Sequence, residues 1–356
     1  MFNPIRLELA RKRRRMTARI LSARAEVAPV TLSRITNGKQ SPDERTLIRL
    51  AAALSYPKEF FCREEIDGID VDAASFRSLK AMTATERDAA LAAGSLAFEL
   101  SDWVNDRFNL PPADLLDLSH ERDPAAAARI IRQHWAIGEK PMGHFIKFLE
   151  AKGVRVFSLA ENTKNVDAFS CWRNDEPFIF LNTFKTAERS RYDAAHELGH
   201  LILHRHGGPN QRNAEQEANS FASSFLMPRA DVLSSIPRVH SLDQIIKAKK
   251  RWGVSAAALA YRLNKMALVS EWQYRSFVIQ LNRNHSASEP DGMPAEQSHV
   301  WKTVLTELWK EGVSRNKIAS ELNLPLEEID NLVFGLTSST DAPPRSEGKP
   351  KLRMVE

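Results

Sequence analysis

The stretch that decides how this chain is read runs Tyr192-Asp193-Ala194-Ala195-His196-Glu197-Leu198-Gly199-His200-Leu201-Ile202-Leu203-His204. It contains the pattern H-E-x-x-H. On an α-helix, residues four apart lie about 40° apart on one face, so His196 and His200 can hold one metal ion together, and zinc is the ion that suits them. Glu197 lies about 100° round from His196. That places it beside such a metal, where a general base for a bound water belongs. Leu198, Leu201, Ile202 and Leu203 are interior residues and favour a buried helix over a polar surface turn. Gly199 weakens a helix and makes sense where another backbone passes close. His204 continues the same face. It is a fourth metal neighbour, a group standing behind the ligands, or a charge partner for the helix C-terminus.

A zinc site needs a third protein ligand and an open position. The next helical stretch, Asn213 to Pro228, offers Glu215 and Glu217. Two residues apart means about 200° apart, so both cannot face one ion. Glu215 shares its face with Ala218, Asn219, Ala222 and Leu226, a small and largely apolar surface fit for close packing on the first helix. Glu217 shares its face with Ser220, Phe221 and Ser224 and reads as a solvated charge. Glu215 is therefore the expected ligand.

The flanks set the fold class. Val154 to Phe157 alternates, Ala168 to Cys171 reads as a strand, and Phe178 to Leu181 is an apolar run after Pro177. All three suggest strands, with a turn between Trp172 and Glu176. Residues 74–150 and 184–280 read as helical. The expectation is a mainly α protein with a small antiparallel β-sheet (α+β). The metal-site domain spans 74–280, divided into a helical lead-in (74–150), strands (153–183) and metal-site helices (184–280). Residues 281–296 read as a linker, 297–336 as a small helical module that is not basic, and 337–356 as a disordered tail. Trp252 is expected buried beside a solvated helix end at Lys247, Lys249, Lys250 and Arg251.

Charge is unevenly placed. The formal net charge is +5, and the first 60 residues carry more positive excess than the whole chain, so the remainder is slightly acidic. A basic head suggests a polyanion as partner. Residues 1–65 have the rhythm of a helix-turn-helix domain. Helix one runs from Ile5 to Arg14. Thr17 caps helix two, with Ile20 and Leu21 inward, and Glu26-Val27-Ala28 makes the turn. Pro29 to Asn37 forms helix three, ended by Gly38. Val30, Thr31, Ser33, Arg34 and Asn37 are then available to read a major groove, and Lys39, Arg13 and Arg14 to meet phosphates. The stretch resembles the Cro/repressor-like (XRE-type) helix-turn-helix family through Thr17, Val27, Ser33, Arg34, Asn37-Gly38 and Pro42. It departs from that family at Glu26, where glycine is usual, and at Ala18, where glutamine is common. The other use of such a four-helix cap is protein contact.

Residues 74–270 resemble the ImmA/IrrE family of zinc metallopeptidases. The resemblance rests on Phe178 to Asn182, A-H-E-L-G-H-L-I-L-H at 195–204, E-x-x-A-N-x-F-A-x-x-x-L-M-P from Glu215 to Pro228, and Val254-Ser255 with Ala258 to Leu263. It implies a gluzincin-like (zincin-like) peptidase domain with one Zn2+ per chain. His196, His200 and Glu215 are then the ligands and Glu197 the catalytic base. The implied partner is a repressor or antitoxin-like protein that the enzyme cleaves. Strand 178–182 can pair with an extended substrate, and His204, Tyr192 and Tyr261 are candidates for stabilising the oxyanion. The alternative is a non-proteolytic transcription factor whose zincin-like domain senses a ligand or metal. The remaining expectations are double-stranded DNA as a partner, compatibility with a homodimer, no membrane, and a cytoplasmic location. The last follows from two cysteines, Cys62 and Cys171, being too few for a disulfide framework.

Overall fold

The structure, a computed structural model, describes residues 1–69, 75–76, 83–159, 168–206, 211–285 and 288–337. The expected disordered tail lies outside the described residues apart from Thr337. The head is four short helices, α1 (Pro4–Arg13), α2 (Ala18–Arg24), α3 (Pro29–Thr36) and α4 (Glu44–Leu54), closed by a 3-10 turn at Lys58–Cys62. Side-chain caps set where these helices begin. Asn3 accepts from the Ile5 amide at 2.9 Å, Thr17 from Ile20 at 3.2 Å and Asp43 from Thr46 at 2.7 Å. Leu7, Leu21, Leu32, Ile35 and Leu50 bury between the helices. Ile20, expected inward, faces solvent. With α2 starting after Thr17, Leu21 takes the inward position and its neighbour is turned about 100° away. Gly38 ends α3 at φ +67, as a left-handed cap requires. Glu26 adopts φ 52 in the α2–α3 turn, and Arg49 donates to its carbonyl at 3.0 Å.

The body begins with β1 (Ser75–Phe76) and α5 (Ala84–Asn105), followed by α6 (Pro124–His134), α7 (Phe145–Ala151), β2 (Arg155–Leu159), β3 (Ala168–Arg173) and β4 (Glu176–Asn182). The strand order is β1-β3-β4-β2. Asn174 and Asp175, both at positive φ, make a two-residue hairpin turn between β3 and β4. The sheet is mixed rather than antiparallel, because β2 and β4 run parallel from Arg155↔Phe178 to Leu159↔Asn182. The reason is topological. β3 lies on the far side of β4, so the strand beside β2 is the returning arm of the hairpin and has β2's direction. The same order corrects the expectation that strand 178–182 receives a substrate. β4 is central, and its backbone groups are taken by β2 and β3.

One sheet face is aromatic and meets α5, with Phe169 stacked on Phe180 at 4.4 Å and Phe98 edge-on to Phe178 at 4.7 Å. The other face meets α8 (Ala187–Leu203), which packs along α9 (Gln211–Leu226). Helices α10 (Arg229–Ser235), α11 (Leu242–Lys249), α12 (Ala256–Lys265) and α13 (Glu271–Asn284) complete the body. Among the described residues, no helix is long and apolar enough to cross a membrane.

The stretch read as a linker is tied to the start of α8. Lys249, expected at a solvated helix end, is fully buried and pairs with Glu188 at 3.0 Å and Glu289 at 3.2 Å. The Met293 amide donates to Glu188 at 2.8 Å, and Arg191 pairs with Glu296. Trp252 is buried as expected, its ring N–H on Asp231 at 2.8 Å.

The C-terminal module, α14 (His299–Lys310), α15 (Arg315–Leu322) and α16 (Leu326–Val333), joins head to body. Trp301 donates to the Val156 carbonyl at 2.9 Å, and buried Glu150 accepts from the His299 and Val300 amides at the start of α14. On the head side, the fully buried Glu328 accepts from Arg13 at 2.8 Å and from the Tyr56 hydroxyl at 3.1 Å, and pairs with Arg14 at 3.1 Å. Arg13 and Arg14, expected at DNA phosphates, therefore pair with a carboxylate of the chain itself.

Candidate metal centre

Helix α8 is anchored before it reaches the motif. Thr186 caps it, and Asp193 pairs with Lys185 at 3.1 Å. From Asp193 to Leu203 every residue is buried. Gly199 explains how α9 comes so near. A Cβ there would stand 3.1 Å from the Phe221 ring and 3.2 Å from the Ala218 backbone. The sequence called for a close backbone at this glycine, and the one that passes is that of α9.

That approach brings Glu215 to the two histidines. His196 Nε2 lies 3.1 Å from His200 Nε2, 3.2 Å from Glu215 Oε2, and Glu215 Oε1 lies 3.4 Å from His200 Nε2. Donors bound to a tetrahedral ion at zinc-like bond lengths stand about 3.3 Å apart, so these spacings fit the edges of such a tetrahedron. Two imidazoles and a carboxylate are also a donor set that divalent metals take. Among the described residues, these are the three grouped closely enough to hold an ion. Burial raises the Glu215 carboxyl, but hydrogen bonds from His196 and His200 outweigh it and hold the group at about 2. Glu215 is thus ionised at neutral pH, as a ligand must be.

Glu197 is fully buried beside this group. Ser170 on β3 donates to its Oε2 at 2.8 Å and also reaches its backbone carbonyl at 3.3 Å. Sequence reading missed Ser170. Its signal was alternation, since its neighbour Phe169 points to the aromatic face and Ser170 to α8. The adjacent Cys171 thiol is pushed up to about 12, chiefly by burial and further by the charge of Glu197.

The three oxyanion candidates have separate fates. His204 Nδ1 lies 3.0 Å from His200 Nδ1, and its Nε2 lies 2.9 Å from Glu217 Oε2. Burial lowers the His204 imidazole below its ordinary value against the opposing pull of Glu217. Glu217, read from sequence as a solvated charge, is thus hydrogen-bonded to the histidine at the C-cap of α8. Tyr192 donates its hydroxyl to the Asn219 carbonyl at 3.2 Å. Tyr261 is partly exposed in a cleft of about 710 Å³ that Thr186, Arg189, Tyr192, Asn219 and Ser255 also line. Of the residues lining it, Tyr192 is one turn before His196 on α8 and Asn219 one turn after Glu215 on α9.

In the head, Ser33, Arg34, Asn37 and Lys39 are exposed and Thr31 is half-buried. Arg34 and Lys39 make no ion pair among the described residues. Asn37 uses its side-chain amide locally, donating to the Ser33 carbonyl at 2.8 Å. Val30, an apolar side chain at the start of α3, is 65% exposed.

Comparison with known families separates the same two parts. Residues 149–264 match a peptidase family, M78, described as an IrrE N-terminal-like domain, and residues 7–61 match a helix-turn-helix family. The first span contains His196, Glu197, His200 and Glu215, and the second contains α3 with its exposed face. The comparison with curated proteins found no match.

Proposed function

Starting from a chain that carries a DNA-binding helix-turn-helix head and an IrrE-type peptidase-family domain, we propose that it is a zinc-dependent metallo-endopeptidase that regulates transcription by cleaving a repressor or antitoxin-like protein. The observation that carries this reading is the convergence of His196, His200 and Glu215 at tetrahedral spacings beside a buried, hydrogen-bonded Glu197. The three would hold one Zn2+ per chain, which when bound makes water a nucleophile near neutral pH and polarises a peptide carbonyl. Glu197 takes the water's proton and returns it to the leaving amine. Ser170 fixes the carboxylate for that exchange. The cleft lined by Tyr192 and Tyr261 offers space for substrate beside the metal group.

The head supplies the address. Arg34, Asn37, Thr31 and Ser33 would meet base edges or phosphates in a major groove, and Lys39 the backbone. Heads of this kind pair on palindromic sites, so a homodimer on its operator belongs to the proposal, as does a cytoplasmic location. One observation favours a second reading, a non-proteolytic regulator whose zincin-like domain senses a ligand or metal. Glu328 bonds the C-terminal module to the head through Arg13, Arg14 and Tyr56, and Trp301 and Glu150 bond the same module to the body, so a change in the body has a path to the DNA face.

The test separates the two readings. The full-length protein, loaded with zinc, is incubated with helix-turn-helix proteins encoded beside its own gene, and new N-termini are mapped. Cleavage that Glu197→Gln abolishes while retaining the metal supports the peptidase. Regulation that survives Glu197→Gln unchanged, with no cleaved product, supports the sensor.

A further inference from the structure

We infer that Glu217 and His204 form a relay that positions His200 for the metal; the inference rests on the metal reading above. His200 turns Nε2 toward His196 and Glu215, so a metal takes the lone pair on that nitrogen. The imidazole proton must then sit on Nδ1. From there it points at His204 Nδ1, 3.0 Å away. His204 Nδ1 must accept that bond, which leaves the His204 proton on Nε2. That proton meets Glu217 Oε2 at 2.9 Å. Metal binding therefore leaves one arrangement of protons along the row, and every hydrogen bond in it is satisfied. A ring held this way cannot rotate or change tautomer without breaking two bonds, and its lone pair is aimed before the ion arrives.

The other histidine ligand lacks such support. His196 Nδ1 is buried and has no hydrogen-bond partner among the described residues. The relay therefore acts on one ligand and gives the site a prearranged arm and a looser one. It also gives His204 and Glu217 a shared task. His204 is the third histidine of a four-residue spacing along α8, and Glu217 stands two residues beyond the ligand Glu215 on α9. Neither touches the three metal-binding atoms, so both are positioning residues.

The test measures zinc affinity of the full-length protein by competition against a fluorescent zinc chelator, alongside the melting temperature of the metal-free form. His204→Ala and Glu217→Ala are each expected to weaken zinc about tenfold to a hundredfold, with the metal-free melting temperature close to that of the unsubstituted protein. His204→Gln, whose amide can accept from His200 and donate to Glu217, is expected to recover most of the loss. Glu217 lies on the helix surface, so Glu217→Ala keeps the test valid if His204→Ala fails to fold. Zinc affinity within threefold of the unsubstituted protein in Glu217→Ala overturns the relay and leaves the metal reading standing. Absence of zinc binding in the unsubstituted protein overturns both.

Discussion

Helices α3 and α8 each carry a string to which we assign a function, and they present it in opposite ways. α3 is eight residues long, buries only Leu32 and Ile35, and turns the rest toward solvent. α8 is seventeen residues long and buries its motif completely among β3, α9 and its own anchoring ion pairs. The difference follows from the size of what is bound. A DNA groove is large and brings its own geometry, so a reading helix has only to be exposed and correctly tilted. A single ion has no shape of its own, so its donors must converge from separate elements and be held there. The proposed DNA-reading face is therefore local in sequence. The metal centre depends on Ser170, Glu215 and Glu217 arriving from elsewhere.

The sharpest way to break this comparison is to alter one side and read both. Glu197→Gln is expected to lower peptide cleavage by about a thousandfold or more while zinc content and operator affinity stay unchanged; cleavage kinetics, metal analysis and DNA titration check each part. Glu328→Ala removes the shared partner of Arg13, Arg14 and Tyr56. Removing the buried carboxylate that these groups share should cost about 3 kcal/mol of stability, measured by denaturant unfolding. Without that carboxylate, Arg13 and Arg14 should also steepen the salt dependence of DNA binding, whereas an unchanged slope would mean that the head's phosphate contacts do not depend on the C-terminal module. Arg34→Ala should weaken operator binding by about 2 kcal/mol with no effect on zinc. The smallest effect is expected at Glu26. Its left-handed conformation is one that glycine adopts without strain, so Glu26→Gly should stabilise the head by about 0.5–1 kcal/mol in thermal unfolding.

What could be read in advance follows the same division. The head's helices, its turn and its ending at Gly38 were legible because caps, a tight turn and a four-residue rhythm are local signals. The motif on α8 and the meeting of Glu215 with its two histidines were legible because helical angles decide which side chains share a face. Other features were not. The parallel pairing of β2 with β4 depends on which edge the hairpin chooses, and alternation within a strand does not report its neighbour. The pairing of Arg13 and Arg14 with Glu328 joins residues some three hundred positions apart, and an arginine bound for phosphate looks in sequence like one bound for a carboxylate. Glu217 looked solvated because its face of α9 is polar; its partner, His204, was only visible once the two helices were packed. Lys249 and its acidic partners show the same limit: a run of basic residues gives no sign of which one turns inward.

The central claim is that His196, His200 and Glu215 hold one zinc ion per chain. Metal content of the full-length protein after equilibrium dialysis against zinc tests it most directly. One zinc per chain is expected in the unsubstituted protein and in Glu197→Gln, and none in His196→Ala. One zinc per chain retained in His196→Ala, or none in the unsubstituted protein, would contradict it.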